Sequence, residues 1–255
     1  MKVILLGCGT SSGVPRIGND WGVCDPRNPR NRRTRASIMV EAEGYRVLVD
    51  TGPDMREQLL ANDIGHVDAV IYTHDHADHT HGIDDLRQIY HVKHWPVGVY
   101  ARADTLSRLK MRFEYAFFGK DGYPPSVRGH ELPDDIRLGP LAIRVTDLPH
   151  GNITSAGIRF DHGGISVVYT TDFNALPEST ERLLKGTSLW IVDALRRKPH
   201  SSHPHLAQTL EWIGRVQPQH AVLTHMDQSM DYASLVEELP PGVEPGYDGM
   251  TIILK

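Results

Sequence analysis

One short polar segment restricts the fold of this chain more than any other feature. Residues 74–79, which read His-Asp-His-Ala-Asp-His, follow an apolar run at residues 68–73 that predicts a buried β-strand. On an extended backbone the side chains of 74, 76 and 78 would point the same way, and His79 would turn toward the same space from the next element. Such a cluster repels itself or lacks hydrogen-bond partners unless a cation lies within it. Because neutral imidazole and carboxylate suit zinc, manganese or iron, the segment predicts a metal site at the end of a strand.

The composition excludes several classes of protein. The chain has 255 residues and no evident linker, so we expect one domain over residues 1–255. A net charge of −5 disfavours non-specific nucleic-acid binding. Cys8 and Cys24 are the only cysteines, too few for a disulfide framework. No run approaches the ~18 apolar residues of a membrane span, so we expect a cytoplasmic protein without membrane contact.

Strand and helix patterns alternate along the chain and predict an α/β fold with mixed sheets. A hairpin turn is expected at Glu43-Gly44, and an exposed loop or short insertion over Phe113–Pro133. The predicted strands are Val3–Leu6, Ser37–Val40, Arg46–Val49, Ala69–Tyr72, Val97–Tyr100, Leu141–Val145, Ala156–Phe160, Ser166–Tyr169, Leu189–Val192, Ala221–Leu223 and Thr251–Leu254. The predicted helices are Asp54–Leu60, Ile83–Tyr90, Thr105–Met111, Glu178–Leu184, Leu206–Val216 and Tyr232–Leu239.

A histidine or aspartate follows many of these strands. Any one of them has an ordinary explanation, such as a turn former or a helix cap. Together they place polar groups repeatedly at one edge of a sheet, which is a common plan for a functional site. The residues are Asp50, the segment 74–79, Asp147 with His150, Asp172, Asp193 and His225.

With these residues the sequence resembles the metallo-β-lactamase fold superfamily. The resemblance rests on His74, His76, Asp78 and His79, followed in the expected order by His150, Asp172 and His225. It implies an αββα sandwich, in which helices flank two mixed β-sheets, and a dinuclear metal site at one edge of the sheets. The implied cofactors are two divalent metal ions per chain, zinc or manganese, with iron possible.

The family pattern also implies a role for each ligand. The first metal would be held by His74, His76 and His150. The second metal would be held by Asp78, His79 and His225, and Asp172 would bridge both. Asp50 resembles a buried carboxylate of the family that orients a ligand or the metal loop.

Three further stretches narrow the resemblance to the phosphodiesterase branch and to PhnP, a phosphoribosyl 1,2-cyclic phosphate phosphodiesterase. They are residues 6–15, 82–87 and 246–250. PhnP also has a cysteine cluster that binds a structural zinc. Because Cys24 is the only cysteine in the corresponding loop, no such third site is expected here.

The resemblance implies hydrolysis of a small, cyclic ribose or nucleotide phosphodiester by a hydroxide that bridges the two metals. His203 is the candidate proton donor to the leaving group, with His205 or Asp78 as substitutes. The basic run Arg27–Arg35 suits a phosphate monoester or an RNA backbone, and the alternative is a solvated loop anchored to nearby carboxylates.

Two other activities remain open for the same ligand set. One is an RNA endonuclease of the tRNase Z kind, which carries a long Gly- and Lys-rich arm. The other is a thioester or lactone hydrolase of the glyoxalase II kind. The expected partner is a small phosphodiester; RNA is a weaker candidate, and a homodimer is possible.

Overall fold

The structure, a computed structural model that describes residues 1–255, contains two seven-stranded β-sheets. The first has the order β14-β1-β2-β3-β4-β5-β6 and the second the order β13-β12-β11-β10-β9-β8-β7. The strands of the first sheet are β1 (Lys2–Gly7), β2 (Ser37–Ala42), β3 (Tyr45–Val49), β4 (Ala69–Ile71), β5 (Val97–Ala101), β6 (Val127–Glu131) and β14 (Met250–Ile253). Those of the second are β7 (Asp135–Leu138), β8 (Leu141–His150), β9 (Ile153–His162), β10 (Ile165–Thr170), β11 (Leu189–Asp193), β12 (His220–Thr224) and β13 (Val243–Pro245).

Eight α-helices and two short 3-10 turns connect the strands. The 3-10 turns are Pro29–Asn31 and Ile83–Asp85. The helices are α1 (Met55–Ala61), α2 (Ala77–Thr80), α3 (Leu86–Lys93), α4 (Ala103–Arg112), α5 (Glu114–Phe118), α6 (Glu178–Leu184), α7 (Leu206–Val216) and α8 (Tyr232–Glu238). None of them has the length and apolarity needed to cross a membrane.

Alternate residues of the same strand enter two different apolar layers. Val3 and Leu5 of β1 belong to a core that also contains Phe160 and Trp190 of the second sheet. Ile4 and Leu6 face the other way, into a layer formed with helices α1, α3 and α4. This period of two is what a β-strand buried on both faces requires, and each buried aliphatic side chain contributes roughly 1.5–3 kcal/mol. The expected sandwich of two mixed sheets flanked by helices is confirmed.

The strand directions place the carboxyl ends of several strands at one edge of each sheet. Strands β3 to β6 are mutually parallel, as are β10 to β13. Strand β8 runs the same way as β10, because both are antiparallel to β9. The carboxyl ends of β3, β4, β8, β10, β11 and β12 are therefore the ends at which a shared site can form.

All the predicted strands and helices coincide with observed elements, but three strands were not predicted. The expectation of an exposed loop or short insertion over Phe113–Pro133 holds for the exposed residues 120–124. It is wrong for the flanking parts, which form α5 and β6, with Phe117 and Val127 buried. Edge strand β7 is polar, and β13 has three residues and ends at a proline, so neither has a strand-like apolar pattern. The turn at Glu43-Gly44 is confirmed: both residues have a positive φ and join β2 to β3.

Candidate metal centre

The ends of six strands deliver a cluster of histidines and aspartates to one place. Asp193 and His150 are the last residues of their strands, whereas His74 and His76 lie in the irregular segment before α2. The contributing residues are Asp50 after β3, His74 to His79 after β4, His150 of β8, Asp172 after β10, Asp193 of β11 and His225 after β12.

The side chain of Asp78 enters the cluster from a helix and not, as expected, from an extended segment. The backbone is extended at His76, but α2 begins at Ala77, so Asp78 and His79 both project from its single turn. The alternation argument therefore holds for His74 and His76 and is wrong for Asp78. A helical turn is required here because adjacent residues on a strand point to opposite faces, whereas Asp78 and His79 face the same cluster.

Three residues of the site have left-handed backbone conformations. The φ angles are 65° for Asp50, 56° for Asp172 and 58° for His225. Such conformations cost of order 1–3 kcal/mol for a non-glycine residue and persist only where surrounding structure enforces them. Each follows a buried strand, so the sharp change of direction turns a polar side chain into the site rather than along the strand.

The seven predicted ligand residues lie together in two groups that share Asp172. One potential donor atom each from His74, His76, His150 and Asp172 lie within 4.8 Å of one another, as do those of Asp78, His79 and His225. Asp172 uses both carboxylate oxygens: Oδ1 is 3.8 Å from His74 Nε2 and 3.6 Å from His150 Nε2. Its Oδ2 is 3.2 Å from His79 Nε2 and 3.4 Å from His225 Nε2. Asp172 thus stands between the two groups.

The Asp50 carboxylate orients two of these imidazoles. Its Oδ2 accepts a hydrogen bond from His79 Nδ1 at 2.7 Å and another from the Thr73 hydroxyl at 2.8 Å. Because the Thr73 hydroxyl donates its proton to Asp50, the hydroxyl oxygen accepts a hydrogen bond from His74 Nδ1 at 3.0 Å. Both imidazoles therefore carry their proton on Nδ1 and turn an unprotonated Nε2 to the cluster when neutral.

His150 is oriented in the same way by a backbone group. Its Nδ1 donates to the carbonyl of Ser202 at 3.0 Å, which leaves Nε2 facing Asp172. The Nε2 atoms of His74, His79 and His225 are buried and have no hydrogen-bond partner. Unpaired buried nitrogens are costly, and divalent cations held by the two groups would satisfy all three. The donor set, imidazole with carboxylate, therefore fits the metal ions that the sequence predicts.

The pKa values divide the histidines into two kinds. Burial lowers the pKa of His74 and His150, so both are neutral and ready to coordinate. Burial, the largest single effect, opposes protonation of His79 and His225, but Asp172, Asp78 and the other nearby carboxylates together outweigh it and raise both pKa values, that of His225 to about 9. Asp172 itself would have a raised pKa from burial, but His225 and His79 reverse the effect and lower it. Positive charge on His79 and His225 thus balances the surrounding carboxylates, and a bound cation would take over that balance.

His203 lies at the same cluster, as the sequence predicted. Its Nδ1 is 2.8 Å from Asp193 Oδ2, and its Nε2 is 3.7 Å from Asp172 Oδ1. The His203 ring stacks on that of His225, with ring centroids 4.9 Å apart. His205 instead occupies the N-cap position of α7, where its side chain makes no hydrogen bond.

Asp193 also belongs to the cluster, although its sequence context predicted no specific role for it. Its Oδ2 accepts from His203 Nδ1 and from the backbone N–H of Asp172. It therefore fixes the positions of both residues. The signal available in the sequence was its place at the end of an apolar run, the same signal that marked Asp172 and His225.

The basic run Arg27–Arg35 is engaged mainly within the protein. Arg33 is buried and donates to the carbonyl of Met230 at 2.6 Å. Arg35 pairs with Asp54 at 3.0 Å, and Arg27 with Asp25 at 3.0 Å. The expectation that these cations meet nearby carboxylates holds for Arg27 and Arg35.

Comparison with known proteins agrees with this architecture. A model of the β-lactamase superfamily domain matches residues 45–226. A crystal structure of a new diphosphatase from the PhnP family is 34% identical, covers 100% of this chain and 98% of its own, and superposes with a TM-score of 0.90. Zinc-bound PqqB from Methylobacterium extorquens has a TM-score of 0.80 over 100% of both chains at 18% identity, which shows the shared fold alone.

One relative is about twice as long as the part of it that aligns with this chain. The octanoyltransferase of Porphyromonas gingivalis is 33% identical over 261 residues that include 100% of this chain. The alignment covers 52% of that protein, so this chain spans about half of its length.

The two seven-stranded sheets, the histidine and aspartate cluster at their shared edge, the match to the family model and the 34% identical relative lead to one assignment. The chain belongs to the β-lactamase superfamily, and it is a metal-dependent hydrolase with the metallo-β-lactamase fold.

Proposed function

We propose that this hydrolase cleaves a small phosphodiester at a centre that holds two divalent metal ions. His74, His76 and His150 would hold one ion, and Asp78, His79 and His225 the other, with Asp172 shared. Ions bound there would supply polarisation of the phosphoryl group and a water acidic enough to attack near neutral pH. The remaining requirement is a proton for the departing oxygen, which the protein must supply.

The observation that carries the proposal is the His203–Asp193 pair. Asp193 accepts the Nδ1 proton of His203 at 2.8 Å, so the ring is held with Nε2 toward Asp172. In that orientation a protonated Nε2 can donate to an oxygen that leaves phosphorus above the cluster. An alkoxide leaving group needs such a donor, whereas the thiolate released from a thioester is far more stable in water. The pair therefore favours an oxygen ester over a thioester.

Two features favour a small substrate over RNA. The segment 113–133 contains one lysine and folds as α5 and β6 against the first sheet, so it does not form a long basic arm. The chain as a whole has a net charge of −5, which opposes association with a polyanion. The similarity to a diphosphatase of the PhnP family also supports phosphate chemistry.

A substrate panel tests this proposal. The protein loaded with manganese or zinc would be assayed with 2′,3′-cyclic AMP, bis(p-nitrophenyl) phosphate, a precursor tRNA and a diphosphate. Octanoyl-coenzyme A is added because a relative is an octanoyltransferase. We expect the highest kcat/KM for one of the two small phosphodiesters, 2′,3′-cyclic AMP or bis(p-nitrophenyl) phosphate. A higher value for the thioester, the diphosphate or the tRNA would overturn the proposed substrate class.

A further inference from the structure

The backbone that carries His74 and His76 lies outside every helix and strand. Residues 72–76 form no regular element, so the peptide groups between these two predicted ligands belong to no helix or sheet. The carbonyl of Thr73 accepts from a backbone N–H of β9 at 2.9 Å, and that of His76 accepts from the first turn of α2 at 3.1 Å. The carbonyl of Asp75 instead accepts from the side chain of an arginine. A side chain thus holds the stretch between the two histidines.

This side chain is Arg112, the last residue of α4, and it holds Asp75 at two points. Its Nη1 donates to the carbonyl of Asp75, and its Nη2 donates to the carboxylate Oδ2 at 3.0 Å. The planar fork of a guanidinium allows both bonds at once, so it fixes the direction of the peptide group as well as that of the side chain. Asp75 is 7% exposed, so water does not readily replace the guanidinium. The contact acts one residue away from His74 on one side and from His76 on the other.

Helix α4 is a firm support for this contact. Its residue Leu109 is fully buried in the apolar layer between the helices and the first sheet. At the other end of the helix, Arg102 donates to Asp147 Oδ1 at 2.8 Å and to the carbonyl of Leu132 at 2.8 Å. Asp147 lies in β8, three residues before His150. The helix is therefore tied at one end to the strand of His150 and at the other to the segment that carries the two other histidines of that group.

His76 is the predicted ligand that depends most on a fixed backbone. The rings of His74, His79 and His150 are each oriented through Nδ1 by a hydroxyl, a carboxylate or a backbone carbonyl. His76 is exposed, and the polar contact of its ring joins Nδ1 to His150 Nε2 at 3.4 Å, a nitrogen that itself faces the cluster. No group outside the cluster orients this ring. Its position therefore depends on the backbone that Arg112 holds.

We propose that Arg112 is a positioning residue for the metal ion held by His74, His76 and His150, and that it acts through the Asp75 peptide group. This inference rests on the metal centre of the proposed function, which it deepens, and not on the substrate. Charge alone would have the opposite effect: a guanidinium repels a divalent cation, so its removal would strengthen metal binding. Weaker binding after its removal therefore indicates a loss of position and not a loss of charge.

The zinc affinity of the full chain, measured by competition with a chromophoric chelator, tests the inference. Arg112→Ala should weaken one of the two bound ions by ~10–100-fold, the effect expected when a ligand loses its support. Arg112→Lys, whose ammonium lacks the guanidinium fork, should lose less, ~3–10-fold. The matched control is Arg108→Ala, one turn earlier on α4, where the guanidinium lies 3.6 Å from Asp75 Oδ1 and makes no hydrogen bond to it. This control should bind both ions within about twofold of the wild type, or more tightly.

Hydrogen exchange of the metal-free protein gives a second readout that needs no metal. The backbone amides of residues 72–80 should exchange faster in Arg112→Ala than in the wild type or in Arg108→Ala, while those of the second sheet should not change. Faster exchange throughout both sheets would show general destabilisation and overturn the specific role.

The outcomes separate this inference from the proposed function. If Arg112→Ala binds both ions as tightly as the wild type or more tightly, or if Arg108→Ala loses as much affinity, the positioning role is refuted. If the wild type binds fewer than two ions while exchange at residues 72–80 still depends on Arg112, the contact is supported and the dinuclear proposal fails.

Discussion

Replacement of His203 by alanine should slow cleavage of a phosphodiester according to its leaving group. The His203 Nε2 atom is 3.7 Å from Asp172 Oδ1, and its Nδ1 atom is 2.8 Å from Asp193 Oδ2. His203 is not one of the seven predicted ligand residues. Removal of a positioned general acid costs ~10²–10⁴-fold in rate, equivalent to roughly 3–5 kcal/mol of transition-state stabilisation. We expect that loss for an alkyl leaving group, whose alkoxide needs a proton. A p-nitrophenyl group leaves without protonation, so its loss should be much smaller.

The assay compares kcat for the two esters in the wild type, His203→Ala and Asp193→Asn, with metal content measured for each. Asp193→Asn weakens the hold on His203 and on the Asp172 backbone, and an effect of ~10–100-fold is expected for such a supporting residue. Equal losses for both leaving groups in His203→Ala would refute proton donation and indicate a role in substrate binding. Loss of a metal ion in that variant would instead make His203 a ligand.

Three further predictions concern the surroundings of the cluster. Cys24→Ser should leave metal content unchanged by elemental analysis, because Cys24 Sγ contacts the Gln228 carbonyl and Arg33 and no other thiol; loss of one zinc equivalent would contradict this. Asp248→Ala should lower the free energy of unfolding by roughly 2–4 kcal/mol in urea denaturation, since it deprives the N–H of Cys8 and the N–H and hydroxyl of Thr34 of their acceptor. An unchanged midpoint would show that water replaces these bonds. Metal binding near neutral pH should release protons, because the pKa of His225 is about 9 and that of His79 is raised, whereas a histidine must be neutral to coordinate a metal. The affinity for metal should therefore rise with pH up to about 9. Calorimetric heats that do not depend on the protonation enthalpy of the buffer would contradict it.

The polar residues at strand ends were predictable because one physical rule governs them all. An apolar run reveals a buried strand, and parallel strands of one sheet end at the same edge, so the residues after Thr170 and Thr224 of the second sheet converge, as do those after Val49 and Ile71 of the first. That the two edges meet depends on how the sheets pack. What the sequence could not show is how the backbone turns there. The positive φ angles at Asp50, Asp172 and His225 arise from the packed strands and not from a local glycine signal.

The hydrogen bonds that orient the predicted ligand residues could not be predicted from the sequence, for a related reason. The chain Asp50–Thr73–His74 depends on the direction in which a single hydroxyl donates. Asp193 joins Asp172, which follows β10, to His203, which lies in the loop after β11. The same limit applies to β6, where Val127 is the only buried residue. Its place in the sheet is set by pairing with β5 rather than by its own apolar pattern.

Titration of metal-free protein with manganese or zinc, with phosphodiesterase activity and bound metal measured at each step, tests the central claim most directly. The account predicts that activity appears with the metal and reaches its maximum at about two ions per chain. Asp172→Ala, which removes the carboxylate shared by both groups, should leave at least one site empty and abolish most of the activity. Activity that is independent of added metal, or an Asp172→Ala variant that retains two ions per chain, would contradict the account.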